Sequence, residues 1–195
     1  MIAALAPHPD PLDAPAHDAD AASADLESIF RRHHGRVFGA AYRLVGNAQD
    51  AEDVVQTVFL RLLRRGDTLD LSPDPGAYLG RAAVNAALDL LRRRSRSRSI
   101  PLDDLDPIPG ADAGSDPERR QASREMRRGL RQALLGLTDR SAEIFALRFF
   151  EGLGNKDIAE LFNMTQSAVG VSLHRARNQV KKEIASFAGD ASHAH

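Results

Sequence analysis

Three features predict an all-α chain of two small helical domains joined by a flexible acidic linker. Apolar residues recur at helical spacing wherever the sequence is not tail or linker, with strand alternation nowhere. Two basic blocks alternate with two acidic, proline-bearing ones. One segment near the C-terminus has the spacing of a helix-turn-helix. A length of 195 residues suffices for a sizeable core without staples, and the absence of cysteine removes disulfides, thiolate metal sites and cysteine nucleophiles together. It also suits a reducing, cytoplasmic setting.

The formal net charge of -1 conceals the blocks. Residues 1–25 hold five acids and no Lys or Arg, and residues 101–117 repeat that balance. Between and after them, residues 26–100 and 118–187 each hold 13 basic against eight acidic residues. Two basic modules suggest two surfaces for one polyanion.

Residues 1–25 read as a solvated acidic tail, since no basic stretch precedes their apolar start and prolines soon break it. A first helix follows, with Leu26, Ile29, Phe30, Val37, Ala41 and Leu44 on one face and a stop at Gly46-Asn47. In the second, Ala51, Val54, Val55, Val58, Phe59, Leu62 and Leu63 form an apolar stripe, Glu52, Asp53, Gln56, Arg61 and Arg64 the polar side, and Gly66 the end. Ser72-Pro73-Asp74-Pro75 starts a third helix that runs from about Gly76 through the arginines. Residues 100–117 contain four prolines and no helical period, as a linker would. Met126, Leu130, Ala133, Leu134 and Leu137 define a fourth helix and residues 141–150 a fifth, before Gly152 and Gly154 introduce two more. A C-terminal tail is expected over 188–195. No apolar stretch reaches the roughly 18 residues of a membrane span, so no membrane insertion is expected.

The segment from Asn155 to Ile184 carries the most specific local pattern. Ile158, Phe162, Met164 and Val169 have the spacing that packs two short helices at a steep angle, and Ala159 lets them approach. Asn163 stands where the turn needs a left-handed backbone, and Thr165 where the next helix needs an N-cap. In that helix Val169, Leu173, Ala176, Val180 and Ile184 face inward, which leaves Val171, Arg175, Asn178 and Lys182 outermost. Such a face suits a DNA major groove. Gln166 and Ser167 in its first turn, with Ser172 and His174 beside the outer face, complete the candidate duplex-binding set.

Two further faces carry chemistry. Asn85, Asp89, Arg92 and Arg96 make one stripe on the third helix, with Arg93, Arg94 and Arg98 around it. Asn pairs base edges and Arg holds phosphates or stacks on exposed bases, while the plainer reading has arginines meeting the helix dipole and Asp89 pairing with Arg92 or Arg93. On the second helix Asp50, Glu52 and Asp53 suit a helix N-terminus without any function. Gln49, Asp53, Gln56 and Leu60 nevertheless form a continuous polar strip with one exposed Leu, as a protein-docking face would.

The sequence NAQDAEDVVQTVFLRLLRR resembles region 2.2 of the extracytoplasmic-function sigma factors of the sigma-70 family. PGAYLGRAAVNAALDLLRRRSR resembles regions 2.3 and 2.4, and the segment from Leu134 to Arg177 resembles region 4, so the likeness spans about residues 26–187 with both domains in order. It implies a non-catalytic subunit that directs RNA polymerase to promoters. It implies that Gln49, Asp53, Gln56 and Leu60 dock on the clamp helices of the polymerase largest subunit, with the second-largest subunit's flap a further contact. Tyr78, Asn85, Asp89, Arg92, Arg93 and Arg96 would engage the single-stranded -10 element. Gln166, Ser167, Val171, Ser172, His174, Arg175, Asn178 and Lys182 would read the -35 duplex, and an anti-sigma factor is a further partner known in the family. Val84 stands where the family usually has Arg, which implies one positive charge fewer on the -10 face. Gly170-Val171-Ser172 likewise replaces a usual Lys or Arg, Ser and Arg.

The runner-up is a stand-alone helix-turn-helix regulator that binds duplex DNA without polymerase, which leaves the first domain's two faces unused. An enzyme is the least favoured reading. No Gly-rich phosphate loop is present, His33 and His34 lack a spaced third ligand, and Asp103-Asp104 lies in the linker. No cofactor or metal is expected.

Overall fold

A computed structural model describes residues 16–65, 75–97 and 117–192, all but a few short connections of which are helical. The elements are α1 (Ala16–Val45), α2 (Ala48–Arg65), α3 (Pro75–Ser97), α4 (Pro117–Leu135), α5 (Asp139–Phe149), α6 (Asn155–Phe162) and α7 (Gln166–Ser192). The start of the expected tail, Gly66, the residues before Pro75, Arg98, and residues 100–116 of the expected linker lie outside the described residues.

Two elements are longer than their apolar stripes. Helix α1 begins at Ala16, inside the stretch expected to be a tail, because AHDADAASAD combines good helix-forming alanines with acids near a helix N-terminus. Helix α7 runs to Ser192, past the expected end at 187. Neither extension carries an apolar stripe in its sequence, so periodicity does not announce it.

Helices α1, α2 and α3 pack on one another around Val37, Leu44, Val54, Leu79, Val84 and Leu88, all essentially inaccessible. Gly46, at φ 79°, ends α1 in the left-handed region, where a side chain would be strained, and its N–H donates to the Tyr42 carbonyl at 2.8 Å. Asn47 then caps α2: its Oδ1 accepts from the Asp50 N–H at 2.8 Å, and its Nδ2 donates to Asp50 Oδ2, also at 2.8 Å. Asp50 is therefore no surface acid of the helix N-terminus. It is 2 % exposed and paired with Arg94 from the far end of α3.

The second group, α4 to α7, packs around Leu134, Ile144, Leu147, Ile158 and Val169. Thr138 caps α5 by accepting from the Ser141 N–H, and Gln179 of α7 donates to the Gly136 carbonyl at 2.9 Å, anchoring the long helix against the turn between α4 and α5. The two groups are in contact: α3 packs along α5 and touches α4.

Three apolar residues depart from their expected burial. Phe30, Leu63 and Met126 are 41 %, 58 % and 57 % exposed, although helical spacing put each on an inward stripe. Phe30 and Leu63 lie at the edge where the α1 and α2 stripes meet, and Met126 lies in the first half of α4, which projects beyond its partners.

Candidate nucleic-acid interface

The helix-turn-helix forms as the spacing predicts. Helix α6 starts at Gly154, whose N–H donates to Asp157 Oδ2 at 2.9 Å, and ends at Asn163 with φ 50° and ψ 53°. The Met164 N–H reaches back to the Ala159 carbonyl at 2.8 Å, closing the turn, and Thr165 Oγ1 accepts from the Ala168 N–H at 3.2 Å to start α7. Val169, Ala176 and Val180 are buried, with Leu173 and Ile184 half-buried beside them. Val171, Arg175, Asn178 and Lys182 are all exposed, together with Gln166, Ser167 and His174, whereas Ser172 is half-buried. His174 Nε2 and Asn178 Nδ2 lie 3.0 Å apart one turn along the same face. The outer face is thus continuous and, among the described residues, not covered by another helix.

The stripe on α3 is arranged differently from a simple exposed face. Asp89, Arg93 and Arg96 are exposed, but Asn85 and Arg92 are turned towards the second half of the chain. Asn85 Nδ2 donates to Glu143 Oε1 of α5 at 2.8 Å, and Arg81 Nε donates to the same oxygen at 2.7 Å. Arg92 Nη2 lies 3.0 Å from Asp139 Oδ1, an ion pair too oblique to make a hydrogen bond, and its Nη1 lies 3.8 Å from Asp89. Arg94, counted by sequence among the surrounding charges, is committed to buried Asp50 and is structural. It fixes the end of α3, and with it the direction of Arg92, Arg93 and Arg96.

Val84 is fully buried, one residue and about 100° round the helix from Asn85, so in this chain its side chain packs into the core. Arg81 is the residue missed by sequence reasoning: besides Glu143 it donates from Nη1 to the Leu161 carbonyl at 2.5 Å and covers the Phe162 ring at 4.2 Å. It lies four residues before Asn85, on the same stripe, and that spacing was the available signal.

A cavity of about 330 Å³ opens between α2 and α3, lined in part by Arg61, Tyr78, Arg81 and Asn85. On the other side of α2, Gln49, Asp53, Gln56 and Leu60 are all exposed, as expected. Gln56 and Leu60 border a groove of about 560 Å³ with Leu26, Phe30, Phe59 and Leu63.

Two further links join the halves. Arg131 of α4 is 4 % exposed and donates from Nε to the Leu44 carbonyl at the end of α1 at 2.7 Å. Burial, aided by the positive charge of Arg127 and opposed by Asp50, pushes its guanidinium down to about 10. Arg43 reaches Glu151, whose side chain is 4 % exposed, at 2.6 Å.

Comparison with known proteins gives these faces a family. The family model for Sigma-70 region 2 matches residues 29–97, and that for Sigma-70, region 4 matches residues 127–180. The chain is 31 % identical over 163 residues to the ferric citrate uptake sigma factor FecI of Escherichia coli (strain K12), covering 84 % of this chain and 88 % of that one. It is 32 % identical over 178 residues to the ECF RNA polymerase sigma factor SigE of Mycolicibacterium smegmatis, covering 88 % of this chain and 66 % of the relative. Among solved structures, CnrH in complex with the cytosolic domain of CnrY aligns over 88 % of this chain and 94 % of that one, with TM-score 0.53 and 20 % identity, a likeness of fold. Two sigma regions in order, with relatives above 30 % identity over most of the chain, place it in the extracytoplasmic-function RNA polymerase sigma factors of the sigma-70 family.

Proposed function

We propose that residues 26–99 act as the core-binding and -10-binding domain and residues 118–187 as the -35-binding domain of a sigma factor that has no catalytic activity and works in the cytoplasm. The observation that carries the docking assignment is the composition of the α2 surface. Polar Gln49, Asp53 and Gln56 adjoin Phe30, Leu60 and Leu63, exposed by 41 %, 50 % and 58 %, so an apolar patch lies beside an anionic one. Exposed aromatic and aliphatic anchors rimmed by polar groups suit a protein partner better than a polyanion. That partner is the clamp-helix region of the polymerase largest subunit, with the flap of the second-largest subunit as a further contact.

The cavity beside Tyr78, Arg81 and Asn85 suits an unstacked base, which a ring can stack on and an amide can read, with Arg92, Arg93 and Arg96 on the neighbouring phosphates. The outer face of α7 suits a duplex, with Arg175 the side chain able to hold guanine in two hydrogen bonds. A stand-alone duplex-binding regulator would leave the α2 patch and the cavity without use. An anti-sigma partner is consistent with the reading, since a solved structure of similar fold holds the sigma factor RpoE in complex with the anti-sigma factor NepR from Bartonella quintana.

The test is co-purification of core polymerase with Asp53→Arg and Leu60→Ala. Both substitutions are on exposed positions, so helical content by circular dichroism stays unchanged while retention falls at least about tenfold, as expected for hot-spot positions. Full retention by both variants contradicts the docking assignment.

A further inference from the structure

We infer that α4 carries a sequence-independent anchor for the phosphate backbone of duplex DNA, made by Arg120, Arg124, Arg127 and Arg128. This anchor presupposes that the chain binds promoter duplex through α7, as proposed above, and adds a second surface to that reading.

The basic charge of the second half is not concentrated on its recognition helix. Six of the 13 basic residues of 118–187 lie on α4, whereas α7 holds four. From Gln166 to His174 the recognition helix has no Lys or Arg, although the first turns of such a helix are the ones that enter a groove. Sequence-independent affinity for a duplex comes from its phosphates, and the cations that could neutralise them are mostly on another helix.

On α4 that charge is sided. Arg120, Arg124, Arg127 and Arg131 recur at i, i+4, i+7 and i+11 and make one stripe, which Arg128, one turn after Arg124, widens. The two acids of the helix, Glu118 and Glu125, fall about a third of a turn away, and Glu125 Oε1 accepts from Gln121 Nε2 at 2.7 Å. Arg124 has Arg120, Gln121, Arg127 and Arg128 as its neighbours three and four positions away, so it meets three like charges there and no acid. Such spacing destabilises a helix on its own, and a merely solvated helix face interleaves its signs instead. The repulsion reaches the inner end of the stripe, where the charge of Arg127 adds to burial in lowering the Arg131 guanidinium. Arg131 is committed to the Leu44 carbonyl and ties that end to α1. Further out, Arg120, Arg124 and Arg128 are exposed and Arg127 is half-buried.

A polyanion laid along the stripe turns this repulsion into attraction. From Arg120 to Arg128 the helix rises about 12 Å, and over that axial length one strand of a duplex presents three to four phosphates at about 3.4 Å each. The number of cations and the number of phosphates therefore agree. Helix α4 has no aromatic, Asn or His side chain with which to stack on a base or read its edge, so the contact is to the backbone and carries no sequence preference. The same lack of a stacking ring favours the regularly spaced phosphates of a duplex over a single strand.

The test titrates the full chain with a random-sequence duplex pool across a salt series, and with a single-stranded pool of the same length. One variant combines Arg120→Gln, Arg124→Gln and Arg128→Gln; all three positions are exposed and Gln is about as good a helix former as Arg, so helical content by circular dichroism stays unchanged. A control removes the same charge from α1 and α2 with Arg31→Gln, Arg32→Gln and Arg64→Gln, which are also exposed. Each phosphate contact contributes about 0.9 to the slope of log affinity against log salt, so the α4 variant should show a slope shallower by about 2–3. With all three contacts made, about a fourfold rise in salt then weakens wild type about 40-fold more than it weakens the variant. The control should keep the wild-type slope. Sequence preference, read by sequencing the bound members of a duplex library, should be unchanged in the α4 variant and relaxed by Arg175→Ala. An unchanged slope overturns the anchor, and so does an equal change in the control, which would be an effect of net charge alone. Altered sequence preference in the α4 variant overturns the sequence-independent role. A slope change as large with single strands as with duplex overturns the choice of duplex. If Arg175→Ala leaves the preference untouched while the α4 slope falls, the reading of α7 fails and the anchor stands.

Discussion

Replacing Asp50 by Ala isolates the interaction that aims the arginine helix. Asp50 is 2 % exposed, accepts from Asn47 Nδ2 at 2.8 Å and pairs with Arg94. Loss of a charge-assisted hydrogen bond costs about 1.5–3 kcal/mol and loss of a neutral one about 0.5–1.5 kcal/mol. Two local effects offset each other: Ala is the better helix former by about 0.5 kcal/mol, and an acid in the first turn is worth about as much against the helix dipole. Arg94, with a quarter of its side chain exposed, recovers part of its hydration, whereas Asn47 has little access to water. The expected destabilisation is about 3 kcal/mol, near the lower end of the range for breaking a buried pair. Urea unfolding followed by circular dichroism measures it, with Asp50→Asn alongside; Asn keeps the acceptor for Asn47 and should lose about half as much. A loss below about 1 kcal/mol for Asp50→Ala would show that Arg94 does not hold the end of α3. The directional role assigned to this pair would then be wrong.

Other expected outcomes follow from single positions. Asn163 has φ 50°, so Asn163→Val should lose about 1–2 kcal/mol in the same unfolding assay while Asn163→Gly loses little or gains. At Gly170 an added Cβ meets nothing within 4 Å, so Gly170→Arg should stabilise α7 by about 1 kcal/mol and tighten duplex binding, whereas Arg175→Ala should weaken duplex binding and relax its sequence preference, both read by titration against a duplex library at fixed salt. Burial lowers the Arg131 guanidinium to about 10 from its ordinary, higher value, so its burial penalty is full below about pH 10 and is relieved only as the pH climbs from there. At neutral pH Arg131→Met, which removes the charge and fills the space, should therefore stay within about 1 kcal/mol of wild type, while Arg131→Ala loses about 3 kcal/mol.

Helix existence and the helix-turn-helix were legible because both are written in short-range patterns. An i, i+3, i+4 stripe reports burial whatever it packs against, and Asn163 and Thr165 report a turn through their own backbone preferences. The exposed faces of α2 and α7 followed from those stripes by subtraction. What the sequence did not disclose are relations between distant residues. Asp50 looked like an ordinary first-turn acid, and only the packing of α3 on α2 brings Arg94 to it. Asn85 and Arg92 share a stripe with Asp89, yet nothing local shows that Glu143 and Asp139 would lie across two of them and leave the third in solvent. Val84 is a related case: a likeness to relatives compares residue types at a position, and only the packing shows that the valine here points into the core. Phe30 and Leu63 have core composition at the margin of a stripe, and only the angle at which α1 meets α2 decides that they form a surface groove.

The central claim is that this chain confers promoter specificity on RNA polymerase. The most direct measurement is transcription in vitro from a genomic fragment library with core polymerase, with and without the chain. The account predicts new start sites that need both components, that disappear with Asp53→Arg, and that share a -10 and a -35 element at constant spacing. Start sites unchanged by adding the chain, or duplex binding at the same elements with no polymerase and no effect on initiation, would contradict it.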